Sequence, residues 1–116
     1  MPKKYDPTDQ KNIDRAKKLF ELQDWTVTTE ISNNDSNDFG ELFIESDYKR
    51  IHIVIYPNTI NDSVHNESVK AVFFHELAEA VIYQHFDVCP SLRKRTVRLR
   101  DRMADQLARI VLALDV

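Results

Sequence analysis

Between Glu67 and Phe86 the chain reads ESVKAVFFHELAEAVIYQHF, a stretch with neither Gly nor Pro. The spacing predicts a single helix across this span. Its apolar residues, among them Val69, Val72, Phe73, Phe74, Leu77, Val81 and Ile82, fall on most sides of that helix. A helix of this kind has little surface to offer solvent, so it has to be central and the rest of the chain has to cover it. With 116 residues, 42% hydrophobic and 30% charged, the sequence suits one compact domain over residues 1–116 with a core of modest size.

The covering elements can be read from the flanks. DPTDQKNIDRAKKLFELQ predicts a helix from Thr8 to Leu22: Pro7, Thr8 and Asp9 supply start signals, and Ile13, Ala16, Leu19 and Phe20 recur at helical spacing. WTVTTEI alternates and is rich in β-branched residues, which predicts a strand. After the polar loop SNNDSND, FGELFIES and RIHIVIY predict two strands joined at Asp47-Tyr48-Lys49. In the second, Ile51, Ile53 and Ile55 share one face, and His52, Val54 and Tyr56 the other. Pro57-Asn58 should end that strand. TINDSVHN should be a loop, with Asn66 as a cap for the central helix. DVCPS breaks the central helix at Pro90, and a last helix runs from Ser91 to Leu114. It carries two apolar stripes: Leu99, Met103, Leu107, Ile110 and Leu114, and Val97, Ala104, Ala108 and Val111 with Asp101 in line. The expected fold is α+β in the order α-β-β-β-α-α, a small three-stranded sheet packed on the central helix and the C-terminal helix.

Several function classes drop out. The only glycine is Gly40, so a Gly-rich phosphate loop is excluded. A net charge of −3 gives no general attraction to nucleic acid or anionic lipid. Cys89 is the only cysteine, so no intrachain disulfide can form, and a reducing, cytoplasmic setting is expected. MPKKYDPTDQ has no apolar run of the kind a secretory signal needs, and IVLAL is far too short to span a membrane.

The chemistry centres on His75-Glu76 and Glu79 within VFFHELAEAV. Residues four apart lie on one helix face, so His75 and Glu79 can hold one metal ion, as the two His of H-E-x-x-H do. Carboxylate oxygen is an accepted zinc ligand. Glu76 stands where that motif places the general base that polarises the attacking water and carries its proton. A Glu at position 79 adds negative charge, which weakens the Lewis acid. The competing reading is an ordinary helix, with His75 a satisfied core residue and Glu76 and Glu79 on a solvated face. His85 lies ten residues beyond His75, but Ile82 stands where a chain-turning Gly would be needed. A continuing helix puts His85 about 15 Å farther along, which excludes it as a ligand. A third ligand would come from the last helix, where Asp101 shares a stripe with Ala104 and Ala108 that permits close approach. The alternative makes Asp101 a surface partner of nearby arginines.

ELFIESDYKRIHIVIYPN, VFFHELAEAV and DRMADQLARIVLAL together resemble the small zincin-like metallopeptidases of phage and prokaryotic genomes, distantly of ImmA/IrrE type. The resemblance covers roughly the C-terminal two-thirds of the chain. Those families place a β-hairpin before an H-E-x-x-H helix and follow it with a helix carrying E-x-x-A-[ND]-x-[FL]-A, whose acid is the third zinc ligand. Here Asp101 stands at that acid, with Ala104, Asp105, Leu107 and Ala108 in matching places. Two departures stand out: Glu79 replaces the second His, giving H-E-x-x-E, and Asp101 is one methylene shorter than Glu. The resemblance implies one zinc ion on His75, Glu79 and Asp101, with Glu76 as catalytic base hydrolysing peptide bonds of an unspecified peptide or protein. ImmA/IrrE-type members act on or near transcriptional repressors. The alternative, given the loss of the second His, is a metal-free binding or regulatory module of the same fold, which could contact a transcription regulator or nucleic acid through its basic C-terminal helix.

The remaining candidates carry weaker signals. LRKRTVRLRDR, with Arg93, Lys94, Arg95, Arg98, Arg100 and Arg102, has no interleaved aromatic residues and reads as a solvated helix face rather than a nucleic-acid surface. His52 reads as an exposed strand residue and His65 as a loop residue. Tyr83 is one turn beyond Glu79. It could stabilise an oxyanion, but reads first as a packed aromatic. Cys89 reads as a small buried residue.

Overall fold

The computed structural model describes residues 4–62, 68–85 and 93–115, with the side chains of 85 and 93–100 outside the description. Asp9 caps α1 (Gln10–Leu19) by accepting a hydrogen bond from the Lys11 N–H. The helix stops short of Leu22 because Glu21 takes a left-handed conformation, φ 56°. The Leu22 N–H then reaches back to the Lys17 carbonyl and the Glu21 N–H to Lys18. This is a Schellman ending with Glu in the position Gly usually fills. Leu22 is thereby buried, which is why its apolar character fitted a longer helix.

The three strands are β1 (Thr26–Ile31), β2 (Gly40–Glu45) and β3 (Arg50–Ile55). β2 and β3 form the expected antiparallel hairpin through a 3-10 turn at Ser46–Tyr48 and a left-handed Lys49. The strand order is β1-β3-β2, with β1 parallel to β3, so β3 is central and β2 is an edge. Ile51, Ile53 and Ile55 are fully buried, as their shared face predicts, and Val54 on the opposite face is buried as well. Pro57 does more than end β3. It opens a short helix, α2 (Pro57–Asn61), where a loop was expected, because proline is pre-set for a first helical position and Ile60 can be buried one turn later.

The central helix, α3, spans Val69–His85. Its N-terminus is capped by Ser68, whose hydroxyl accepts from the Ala71 N–H at 3.0 Å; Asn66 lies outside the described residues. Val72, Phe73, Phe74, Leu77, Ala78, Ala80 and Ile82 are buried, and so is the charged residue Glu76. α4 (Arg93–Leu114) packs along α3 through Ala104, Ala108 and Val111, the small-residue stripe. The other stripe is half-buried at Met103 and Leu107 and exposed at Ile110 and Leu114. Lys70 pairs with Asp115 at 2.8 Å and His75 with Asp105 at 3.0 Å, so the start of α3 meets the end of α4 and the helices run antiparallel. Arg15 also pairs with Asp115, which ties α1 to this junction. Among the described residues, no helix is long and apolar enough to cross a membrane.

Candidate metal centre

α3, α4 and the edge strand β2 line an open cavity of about 910 Å³. Its lining includes His75, Glu76 and Glu79 from α3, Asp101, Asp105 and Arg109 from α4, and Asp38, Gly40 and Glu41 from the β2 side. Donor atoms of His75, Glu76 and Glu79 all lie within 4.8 Å of one another, the only such group of His, Cys, Asp and Glu among the described residues.

The His75 ring is held at both nitrogens. Its Nδ1 lies 3.0 Å from Asp105 Oδ1, and its Nε2 lies 3.4 Å from Glu79 Oε1. The first contact is an ion-pair distance that sets the Asp105 carboxylate against Nδ1, and Nε2 is directed at Glu79. Two ligands at zinc bond lengths on a tetrahedron stand about 3.4 Å apart, so the Nε2–Oε1 separation fits two donors sharing one ion. A carboxylate on the far nitrogen of a metal-ligating His is also the usual means of fixing its orientation.

Glu76 occupies a different environment. Only 6% of it is exposed, and its carboxyl faces the start of β2. This close approach depends on Gly40. A Cβ there would stand 3.2 Å from Glu76 Oε1, 3.0 Å from Val72 Cγ1 and 3.2 Å from the Val54 carbonyl oxygen. The φ of Gly40 is not positive, so the glycine answers to space and not to backbone conformation. Burial raises the Glu76 pKa to about 8, helped by the charge of Glu79 and a hydrogen bond to it and opposed by His75. The His75 pKa is raised to about 9, chiefly by its hydrogen bond to Glu79, against the effect of burial. Without an ion the cluster therefore holds its protons to higher pH than isolated groups would, and the protons belong to the cluster as a whole. A cation on Nε2 would replace the imidazolium proton.

His75 and Glu79 thus share a cleft, as their spacing predicts. Asp101 lines the same cavity, but it is exposed and lies outside the converging donor group. The acid of α4 that touches His75 is Asp105, one turn later. The signal for it was present, since Asp105 occupies the Asn/Asp position of the helix pattern. Tyr83 corrects the packed-aromatic reading: it is 56% exposed and lines the cavity. His52 lies on the outer face of the sheet, 2.7 Å from the Thr28 hydroxyl and beside Phe43, away from the cavity. α3 continues unbroken through Ile82 to His85, which supports leaving His85 out of the ligand set. His65 and Cys89 fall outside the described residues, as do the side chains of the basic run up to Arg100. Gly40, Arg109, Asp38 and Glu41 were not anticipated as site residues; the position of the chain's single glycine was the one available sign.

No protein-family model, curated protein or solved structure matches the chain. The functional reading therefore rests on the geometry of this cavity and on the sequence resemblance described above.

Proposed function

We propose that the chain is a zinc-dependent peptidase of the zincin-like type, working in the cytoplasm on a peptide or protein substrate. The observation that carries this reading is the His75 Nε2–Glu79 Oε1 pair, 3.4 Å apart over a cavity and next to a buried acid with a pKa of about 8. His75 and Glu79 would hold the ion, with Asp101 as the third ligand that the resemblance implies. When bound, zinc supplies a Lewis acid that polarises a carbonyl and acidifies water.

The chain's own residues supply the rest. Asp105 keeps the His75 ring oriented from Nδ1. Glu76 lines the cavity beside the His75–Glu79 pair, so its carboxylate would take a proton from water and pass it to the departing amine. Its buried position against β2 keeps it from swinging out of the cleft. Tyr83, exposed and in the lining of the same cavity, would donate its phenol to a developing oxyanion.

A second reading, a metal-free binding module, is favoured by one feature: Glu79 and Asp105 satisfy His75 without any ion. Metal analysis separates the two. The expected result is close to one zinc per chain, cleavage of an unfolded protein substrate, and a Glu76→Gln variant that keeps the metal and loses cleavage. A chain that binds no zinc and melts unchanged in chelator would refute the peptidase reading.

A further inference from the structure

Carboxylates reach the cavity from three directions: Asp38 just before β2 and Glu41 within it, Glu76 and Glu79 on α3, Asp101 and Asp105 on α4. Among the described residues Arg109 is the only Lys or Arg in the lining. It is exposed, and the acid one turn before it, Asp105, is directed to His75. Glu41 accepts a hydrogen bond from the Tyr56 hydroxyl at 2.6 Å. Among the described residues Arg109 enters no ion pair. A guanidinium stays charged at every accessible pH and presents a fork of donors matched to a carboxylate.

The position of Arg109 along the cleft follows from helix pairing. The Lys70–Asp115 and His75–Asp105 contacts set α3 and α4 antiparallel and in register. Moving one turn from Asp105 to Arg109 is a step of about 6 Å toward the start of α3. That end of α3 lines the same cavity through Ala71 and Val72. Arg109 therefore lies at the end of the cleft next to the start of α3, and Asp101 and Tyr83 lie toward the other.

We propose that Arg109 is a specificity-determining residue that receives a carboxylate of the substrate about one helical turn from the His75–Glu79 pair. This rests on the peptidase reading of the site. An extended peptide advances about 3.3 Å per residue, so the carboxylate belongs one or two residues beyond the bond that is cut. Two groups supply it, the free C-terminus of a short peptide or an Asp or Glu side chain near the scissile bond.

The test uses the zinc-loaded Glu76→Gln protein, which binds without turnover, and calorimetric titration with three probes. They are N-acetyl-pentaalanine as the free acid, the same peptide as its C-terminal amide, and the amide with Asp in the penultimate position. At least one carboxylate peptide should bind about tenfold or more tighter than the plain amide. Adding Arg109→Gln should erase that difference and leave the affinity for the amide unchanged, and Arg109→Lys should retain part of it. Preference for the free acid alone identifies the C-terminus, and preference for the Asp peptide identifies a side chain. Equal binding of all three probes would overturn the assignment, as would a carboxylate preference that survives Arg109→Gln. If the parent protein cleaves no peptide while the Arg109-dependent preference persists, the peptidase reading fails and Arg109 stands as a carboxylate-binding residue without a role in cleavage.

Discussion

Gly40→Ala is the most direct probe of how the fold makes the site. The added Cβ would meet Val72 Cγ1 at 3.0 Å, and Glu76 Oε1 and the Val54 carbonyl oxygen each at 3.2 Å. Carbon atoms normally rest at about 3.5–4.0 Å. The three neighbours yield unequally. The Val54 oxygen belongs to the backbone of the central strand, paired on both sides, and cannot retreat. Val72 is buried and β-branched, so its rotamer is fixed. Only the Glu76 carboxyl can turn away, and that displaces the group assigned to proton transfer. Overpacking of this kind costs about 1–3 kcal/mol. Removing a glycine at a compatible φ returns about 0.4–1 kcal/mol through the unfolded chain. The net expectation is a loss of about 1–2 kcal/mol, or roughly 4–8 °C in Tm for a chain of this size. Thermal unfolding followed by circular dichroism measures it. A double variant with Glu76→Ala should lose less than the sum of the two single changes, because one clash has already gone. A Tm for Gly40→Ala equal to or above the parent's would show that β2 does not press on α3, and the account of Glu76 burial would fall with it.

Three further outcomes follow from the same cluster. The pKa values of His75 and Glu76 are raised to about 9 and about 8 from ordinary values of 6.5 and 4.5, so the folded state holds protons that the unfolded chain has released. Their contribution is complete at low pH and is lost as pH rises through the folded values, so the chelated protein should be less stable at pH 9 than at pH 6. His75, with about a third of its side chain facing solvent, should account for about 2 kcal/mol of this in urea titrations, and a flat or rising profile would contradict the cluster. Asp101→Ala and Asp105→Ala should differ in zinc affinity measured by chelator competition. Loss of a ligand should weaken zinc by more than about 100-fold, and loss of the group orienting His75 by about 10–100-fold. The reverse order would make Asp105 the third ligand. Glu79→His should bind zinc at least as tightly as the parent, since it pairs two imidazoles on one helix face and removes a negative charge; weaker binding would show that the site is built for a different metal.

The elements of this fold were legible because each has a local cause. The period of apolar residues marked α3 as central, and alternation marked β3 and its buried Ile51, Ile53 and Ile55. The i,i+4 rule alone placed His75 and Glu79 together. Local signals also misled where a distant contact decided the matter. Leu22 fitted a helix that Glu21 in fact ends, and Pro57 signalled a stop to the strand but not the helix that buries Ile60.

What only the tertiary structure decided is the relation between elements. The parallel pairing of β1 with β3 leaves no trace in either strand, because backbone hydrogen bonding is the same chemistry for any partner. Asp101 and Asp105 lie on nearly the same side of α4, and spacing cannot say which of them meets His75. The level at which α4 slides along α3 decides it, fixed by Ala104 and Ala108 in the interface and by Lys70 on Asp115. Gly40 looked like one more residue at the start of a strand. Its purpose becomes visible only when β2 is laid against α3, because the absence of a side chain matters only where something else fills the space, and here Glu76 does.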